Sequence, residues 1–203
     1  ENVAAARVQL RNGGHDVEVT FVGSWFDHPL FIEANAAHVR QALARLPESA
    51  RAGARLVFTA HSIPPPMAQS SLYETQLNES ARLVAERAHM EDWALVYQSR
   101  SARPGDPWLE PDVCDYLRRE RAAGLSAAVI CPIGFVSDHN EVLYDLDREA
   151  GDVSREVGLL MARAESVNDD PLFLDMMADV VLRTIGRYET GRPLPFAPVG
   201  SRP

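Results

Sequence analysis

From Val17 onward, short apolar segments rich in β-branched residues alternate with longer stretches whose apolar residues recur every three or four positions. That rhythm constrains the fold more than any other feature of the chain. Apolar runs of five or six residues suit buried strands, whereas the longer recurrence suits helices with one covered stripe. Strands are expected from Val17 to Val22, Leu56 to Ala60, Ala94 to Gln98 and Ala127 to Cys131. Helices are expected before Gly13 and Gly14, from Pro29 to Leu46 where Pro47 stops the run, from Leu72 to Ala88, from Asp112 to Ala123, after an N-cap at Asp138, and from Pro171 to Tyr188. Strands separated by helices join through right-handed crossovers into a parallel sheet covered on both faces. The expected class is therefore α/β, a doubly wound parallel sheet flanked by helices. One domain is expected over 1–188, with a mobile Pro- and Gly-rich tail over 189–203.

Composition removes several classes of function. The chain has 203 residues, 46% hydrophobic and 24% charged, enough to build a core and unlike a disordered chain. A net charge of -9 opposes binding to nucleic acid or to an anionic membrane surface. No apolar run approaches the ~20 residues that cross a bilayer, and no signal peptide opens the sequence. Cys114 and Cys131 provide neither a disulfide framework nor a CxxC pair, which fits a reducing cytoplasm. All 20 basic residues are arginine, consistent with a high-GC bacterial genome. The chain opens at Glu1 on a helix without a preceding strand, so an upstream half is expected.

In open parallel sheets the ligand crevice lies beyond the carboxyl ends of the strands. That rim should carry His61, the loop from Gln98 to Trp108 and the segment from Pro132 to Glu141. In SDHNEVLYDLDRE, Glu141, Asp145 and Glu149 fall at i, i+4 and i+8, on one helix face. Carboxylates on neighbouring turns, ~6 Å apart, repel one another. A cation between them reverses the sign; a solvated acidic face explains the same spacing. His61 stands one residue beyond a strand in TAHSIP, either as a ligand directed into the crevice or as a hydrogen-bonded structural side chain. Imidazole and carboxylate without thiolate suit a weakly held, exchangeable divalent metal such as ferrous iron. His139 either relays protons or caps the turn. Trp108 offers a stacking platform for a flat ligand, and Arg100 and Arg103 on the same loop suit a ligand's carboxylates. Trp25 and Trp93 read as core, and His15, His28, His38 and His89 as surface residues. The absence of a glycine-rich phosphate loop after the first two strands argues against nucleotide chemistry, and the absence of G-x-S-x-G argues against an α/β hydrolase.

Taken together and in order, TAHSIP, YQSRS followed by PWLEPDV, PIGFVSDHNEVLYDLD and RAESVNDDPLFLDMM resemble the carboxyl-terminal half of ferrochelatase, the family that inserts ferrous iron into a porphyrin. The resemblance runs from about Val17 to Gly186. It implies a chelatase-like half of a two-domain protein, a lyase of heme biosynthesis whose two halves face each other across a porphyrin cleft. It implies His61 as the metal-site histidine and Glu141 as the essential glutamate, with Asp145 and Glu149 in an acidic line leading outward as further metal ligands. Trp108 matches a tryptophan bordering the cleft, and Ser137 to His139 match the turn beside the site. Ferrous iron enters as substrate, and no nucleotide is implied. Some members carry a [2Fe-2S] cluster on cysteines mostly in the terminal tail; nothing after Cys131 can serve, so none is expected here. Coproporphyrin III is the favoured substrate for a high-GC bacterium, with protoporphyrin IX the alternative. Other readings are a non-catalytic tetrapyrrole- or metal-binding module, and a homodimer like the single-domain cobalt chelatases, in which a second copy completes the cleft.

Overall fold

The computed structural model describes residues 2–14, 20–100 and 107–191. The expected strand at Val17 to Val22 lies outside the described residues over 17–19, and Thr20 to Val22 form no strand. His15, Arg103 and positions 192–203 of the expected tail also lie outside them; Glu189 itself still belongs to the last helix.

The chain divides into two compact units. One comprises Phe26–Met176, and the other Glu1–Trp25 with Met177–Pro203. The larger unit holds a four-stranded, all-parallel sheet: β1 (Ala54–His61), β2 (Trp93–Gln98), β3 (Ala127–Cys131) and β4 (Leu160–Arg163), in spatial order β2-β1-β3-β4. The three strands expected in this unit are present. β4 escaped notice because LMAR is short, has no β-branched residue and sits at the sheet edge with Leu160 exposed.

Helices cover both faces. On one face α2 (Pro29–Arg45) packs on β3 and β4, and α5 (Tyr73–Ala88) packs on β1 and β2. On the other, α6 (Val113–Ala122) packs on β2 and on the long helix that follows β3. That helix begins as α7 (Asn140–Val142), widens into a π-helical run over Leu143–Ala150 and returns to α-helix as α8 (Gly151–Val157). Short helices α3 (Glu48–Arg51) and α4 (Pro65–Gln69) lie in the connections. The core under the second face unites Val57, Val96 and Ile130 of the sheet with Leu117, Val142, Leu146 and Val153 of the helices. Each of these is at most 6% exposed, and complete burial of an aliphatic side chain contributes about 1.5–3 kcal/mol. The smaller unit holds α1 (Asn2–Asn12) and most of α9 (Pro171–Glu189).

Several details correct the expectations. The N-cap of the helix after β3 is His139, not Asp138, because the Asp138 carboxylate is taken by Arg163, Ser166 and Asn168. His28 is buried, its Nδ1 accepting from the Leu30 amide to cap α2. His38 is also largely covered, with Nε2 at 3.2 Å from Asp170 Oδ2, whereas His89 is exposed as expected. Trp25 and Trp93 are only half-buried.

Candidate active site

The order in which strands are added reverses at β1. The connection from β1 leads outward to β2, the next crosses back to β3, and the crevice opens beyond the carboxyl ends of β1 and β3. His61 is the last residue of β1, not one residue beyond it, and pairs in register with Gln98. Because strand side chains alternate, Arg55, Val57, Thr59 and His61 share one face. This is the face covered by α6 and the helix after β3, so the same packing that buries Val57 brings that helix's first turn over His61.

β3 ends level with Phe58, three residues short of His61, which leaves space for the turn after β3 to lie over the end of β1. Gly134 makes this possible. A Cβ there would stand 2.6 Å from Ala60 Cβ and 2.8 Å from Ala60 Cα, and the Gly134 amide donates to Thr59 O at 3.1 Å. The turn places Phe135 beside His61, ring centroids 6.4 Å apart, and beside His139 at 5.5 Å. His139 then caps the new helix, its Nδ1 accepting from the Val142 amide at 3.4 Å. Glu141, in the first turn, places Oε1 3.5 Å from His61 Nε2.

Hydrogen bonding sets the chemistry of this pair. His61 Nδ1 meets the carbonyl oxygen of Ser62; a carbonyl only accepts, so Nδ1 carries the proton. In the neutral ring Nε2 therefore turns a lone pair toward a carboxylate. In that state two electron-pair donors face each other, an arrangement that a shared proton or a divalent metal satisfies. Metal–ligand bonds of about 2.0–2.2 Å at ordinary bond angles separate two donors by roughly 3.0–3.4 Å. Side-chain exposures of 39% for His61 and 51% for Glu141 leave the pair open to a ligand. Tyr73 Oη donates to His61 O at 2.8 Å and fixes the backbone beneath it.

Asp145 and Glu149 continue outward from Glu141 along a helix that is not a plain α-helix. A four-residue step drifts by roughly +40° in an α-helix and by about -33° in a π-helix of about 4.4 residues per turn. Mixing the two windings keeps positions 141, 145 and 149 closer to one line than the expected α-helix would. Asp145 Oδ2 accepts from Gln98 Nε2 at 3.2 Å and from Ser99 Oγ. Ser99 holds a left-handed φ of 60°, which is rare for serine and costs about 1–3 kcal/mol. Burial, followed by the charges of Asp145 and Asp112, pushes the Glu149 carboxyl above its ordinary range. A bay of about 310 Å³ runs past Gln98, Asp112, Asp145 and Glu149, with Arg100 and Arg118 on its walls. Arg100 itself lies 3.5 Å from Asp115 and so is already partnered by protein carboxylates.

Trp108 is half-buried beside the rim. Leu109 ties its loop to the end of β1, donating its amide to Ile63 O at 3.1 Å and accepting from Ser62 Oγ at 2.9 Å. Trp108 Nε1 is covered yet has no hydrogen-bond partner among the described residues, as is Gln98 Oε1. Ser137 is exposed in the turn before His139. Thus His61 meets Glu141, and Asp145 and Glu149 form the next stretch outward. Among the described residues no group of three or more His, Cys, Asp or Glu side chains is arranged to hold a metal. Cys131 is buried in β3, and burial together with Asp112 and Glu149 pushes the Cys114 thiol up to about 12, so neither is a ready thiolate. Gln98, Ser99, Phe135 and Tyr73 were not singled out by sequence reasoning; strand register reveals Gln98, the left-handed backbone Ser99, and contacts with His61 reveal Phe135 and Tyr73. No helix of the described residues is long and apolar enough to cross a membrane.

Comparison with known proteins identifies the family. The ferrochelatase family model matches residues 2–185. A ferrochelatase of Rhodopirellula baltica is 47% identical over 92% of this chain and 53% of its own length. A coproporphyrin III ferrochelatase of Nocardia farcinica is 44% identical over 89% of this chain and 53% of its own, and one of Streptomyces griseus is 42% identical over 99% and 58%. The chain spans about half the length of the curated relatives it matches. A multi-domain protein of Deinococcus radiodurans, described as structurally similar to chelatases, aligns with a TM-score of 0.48 at 17% identity over 87% of this chain and 37% of that one. On the family match and the identities of these relatives, the chain belongs to the ferrochelatase family.

Proposed function

We propose that this chain supplies one wall of a porphyrin metalation site, with ferrous iron as the inserted metal, and that His61 and Glu141 act there as a unit. The observation that carries this reading is the 3.5 Å approach of His61 Nε2 and Glu141 Oε1, two electron-pair donors facing each other at the open rim of the sheet. Insertion breaks two pyrrole N–H bonds, forms bonds from the macrocycle nitrogens to iron, leaves the iron ferrous and releases two protons. His61 and Glu141 are placed to hold the incoming ion or to accept those protons, a role that needs only a base within hydrogen-bond reach. Bending the macrocycle directs its lone pairs toward the metal, with remote contacts supplying the strain. Trp108 borders the macrocycle, Ser137 and His139 line the turn at its edge, and Asp145 and Glu149 take up an outer metal or carry protons toward solvent.

Coproporphyrin III is the favoured substrate, after the names of the actinobacterial relatives. The opposite wall comes from outside these 203 residues, from an upstream half or a second copy, and residues 1–188 serve as the chelatase-type domain, a reading supported by the family match over 2–185. The test is anaerobic metalation of coproporphyrin III and protoporphyrin IX by this chain alone and by the full-length protein, followed by the Soret shift. Metalloporphyrin formation that depends on His61 supports the proposal. Porphyrin binding without metalation by either protein favours a tetrapyrrole-binding module instead.

A further inference from the structure

Arg163, the last residue of β4, touches neither His61 nor Glu141 by any hydrogen bond, yet it grips the helix that presents Glu141 at two places. Its Nη1 donates to Asp138 Oδ1 at 2.8 Å, while Nε and Nη2 donate to Asp147 Oδ1 at 2.6 Å and Oδ2 at 3.1 Å as a two-pronged fork. The Arg163 side chain is 12% exposed and that of Asp138 16%. Burial alone would raise the Asp138 carboxyl; hydrogen bonds from Asn168 and Ser166 and the Arg163 charge outweigh it and hold the group below its ordinary range. The Asp138 amide in turn donates to Asn168 Oδ1 at 2.8 Å.

These two carboxylates bracket the site. Asp138 immediately precedes the N-cap His139, and Asp147 lies within the π-helical run beyond Glu141. Each residue of that run turns the chain by about 18° less than an α-helical residue would. Rewinding Leu143 to Asp147 as α-helix would rotate Asp147 by roughly 70–90° and pull it off the fork. One guanidinium therefore both fixes where the helix starts and favours the wide winding after it, so that Glu141 can neither slide along nor rotate about the helix axis. Arginine suits this task because its rigid planar fork holds one carboxylate with two bonds while a further N–H reaches another; lysine cannot do both.

Resting on the proposed role of Glu141, we infer that Arg163 is a positioning residue whose clamp on Asp138 and Asp147 holds Glu141 opposite His61. The test compares wild type with Arg163→Lys and Asp147→Asn in the full chain, by amide hydrogen exchange resolved to peptides and by zinc binding, counted as the part lost in His61→Ala. We expect amides over 140–150 to exchange at least tenfold faster in both variants while those of β1 and β3 are unchanged, and His61-dependent zinc affinity to fall at least tenfold. Exchange over 140–150 within twofold of wild type overturns the clamp, and so does a uniform rise that includes β1 and β3, which marks a merely structural ion pair. Should Arg163→Lys fail to fold, Asp147→Asn decides alone, since that side chain is 48% exposed. If wild type shows no His61-dependent zinc binding, the functional reading fails, and the exchange result still decides the clamp.

Discussion

Arg55 and His61 stand on the same strand and the same face, six residues and roughly 20 Å apart, but their surroundings differ in kind. At the amino rim Arg55 donates to Asp92 Oδ1 at 2.9 Å, Glu120 Oε2 at 2.6 Å and Tyr116 Oη at 3.2 Å. Every group there has its partner, and although burial would raise the Glu120 carboxyl, Arg119 and Arg55 hold it low. At the carboxyl rim His61 Nε2 and Glu141 Oε1 face each other at 3.5 Å, Gln98 Oε1 and Trp108 Nε1 have no hydrogen-bond partner among the described residues, and Ser99 is strained. One sheet thus carries a satisfied end that stabilises and an unsatisfied end whose valences suit a ligand. The unpartnered atoms and left-handed Ser99 at this end lie beside the candidate site, although Thr59 Oγ1 and Ser166 Oγ also lack a partner among the described residues and His89 and Asn168 are also left-handed.

The sharpest way to break this contrast is His61→Ala. In the full-length protein it should lower metalation by about 10²–10⁴-fold, as loss of a positioned base does, with little change in melting temperature; retained turnover measured by the Soret shift refutes the role. Arg55→Met should show the opposite pattern. Removing the guanidinium deprives Asp92, Tyr116 and one oxygen of Glu120 of their partner, with Arg119 still on the other oxygen, and costs about 1–2 kcal/mol in urea unfolding, while metalation per folded molecule stays unchanged. Gly134→Ala should affect both ends of the ledger, because the added methyl displaces the turn from Ala60. We expect a loss of about 1–2 kcal/mol with reduced metalation, and a crystal structure should show Phe135 moved away from His61.

The smallest effect concerns pH. The raised Glu149 carboxyl makes the folded state hold a proton more tightly than the unfolded state. Stability from this group is present below the ordinary glutamate range and is lost as pH rises through the folded-state value. Glu149→Gln should therefore melt higher than wild type at neutral pH, with the advantage shrinking as pH falls through the raised folded-state value and gone below the ordinary glutamate range. Asp138, held low, has the opposite sign: its contribution persists above the ordinary aspartate range and disappears as pH falls through its folded-state value.

Much of this was legible in the sequence. Three strands and the doubly wound class follow from apolar runs and spacing, because burying both faces of a sheet demands such patterns. β4 was not legible, since four residues without β-branching at an edge carry no signal. Nor was the π-helical run, because positions 141, 145 and 149 fit a face of either winding; what favours it is Arg163, eighteen positions beyond Asp145 and visible only once β4 is in the sheet. Asp138 is the better N-cap residue by type, yet a buried arginine competes for it and His139 caps instead. His61 and Glu141 stood out by chemistry and by resemblance to a family. Their approach depends on Gly134, whose need for a bare backbone arises only from contact with Ala60.

Anomalous diffraction from a zinc-soaked crystal is the most direct test. A single strong peak is expected within about 2.0–2.2 Å of both His61 Nε2 and a Glu141 carboxylate oxygen, lost in the His61→Ala crystal. A peak elsewhere with this pair unbridged, or the two side chains pointing apart, would contradict it.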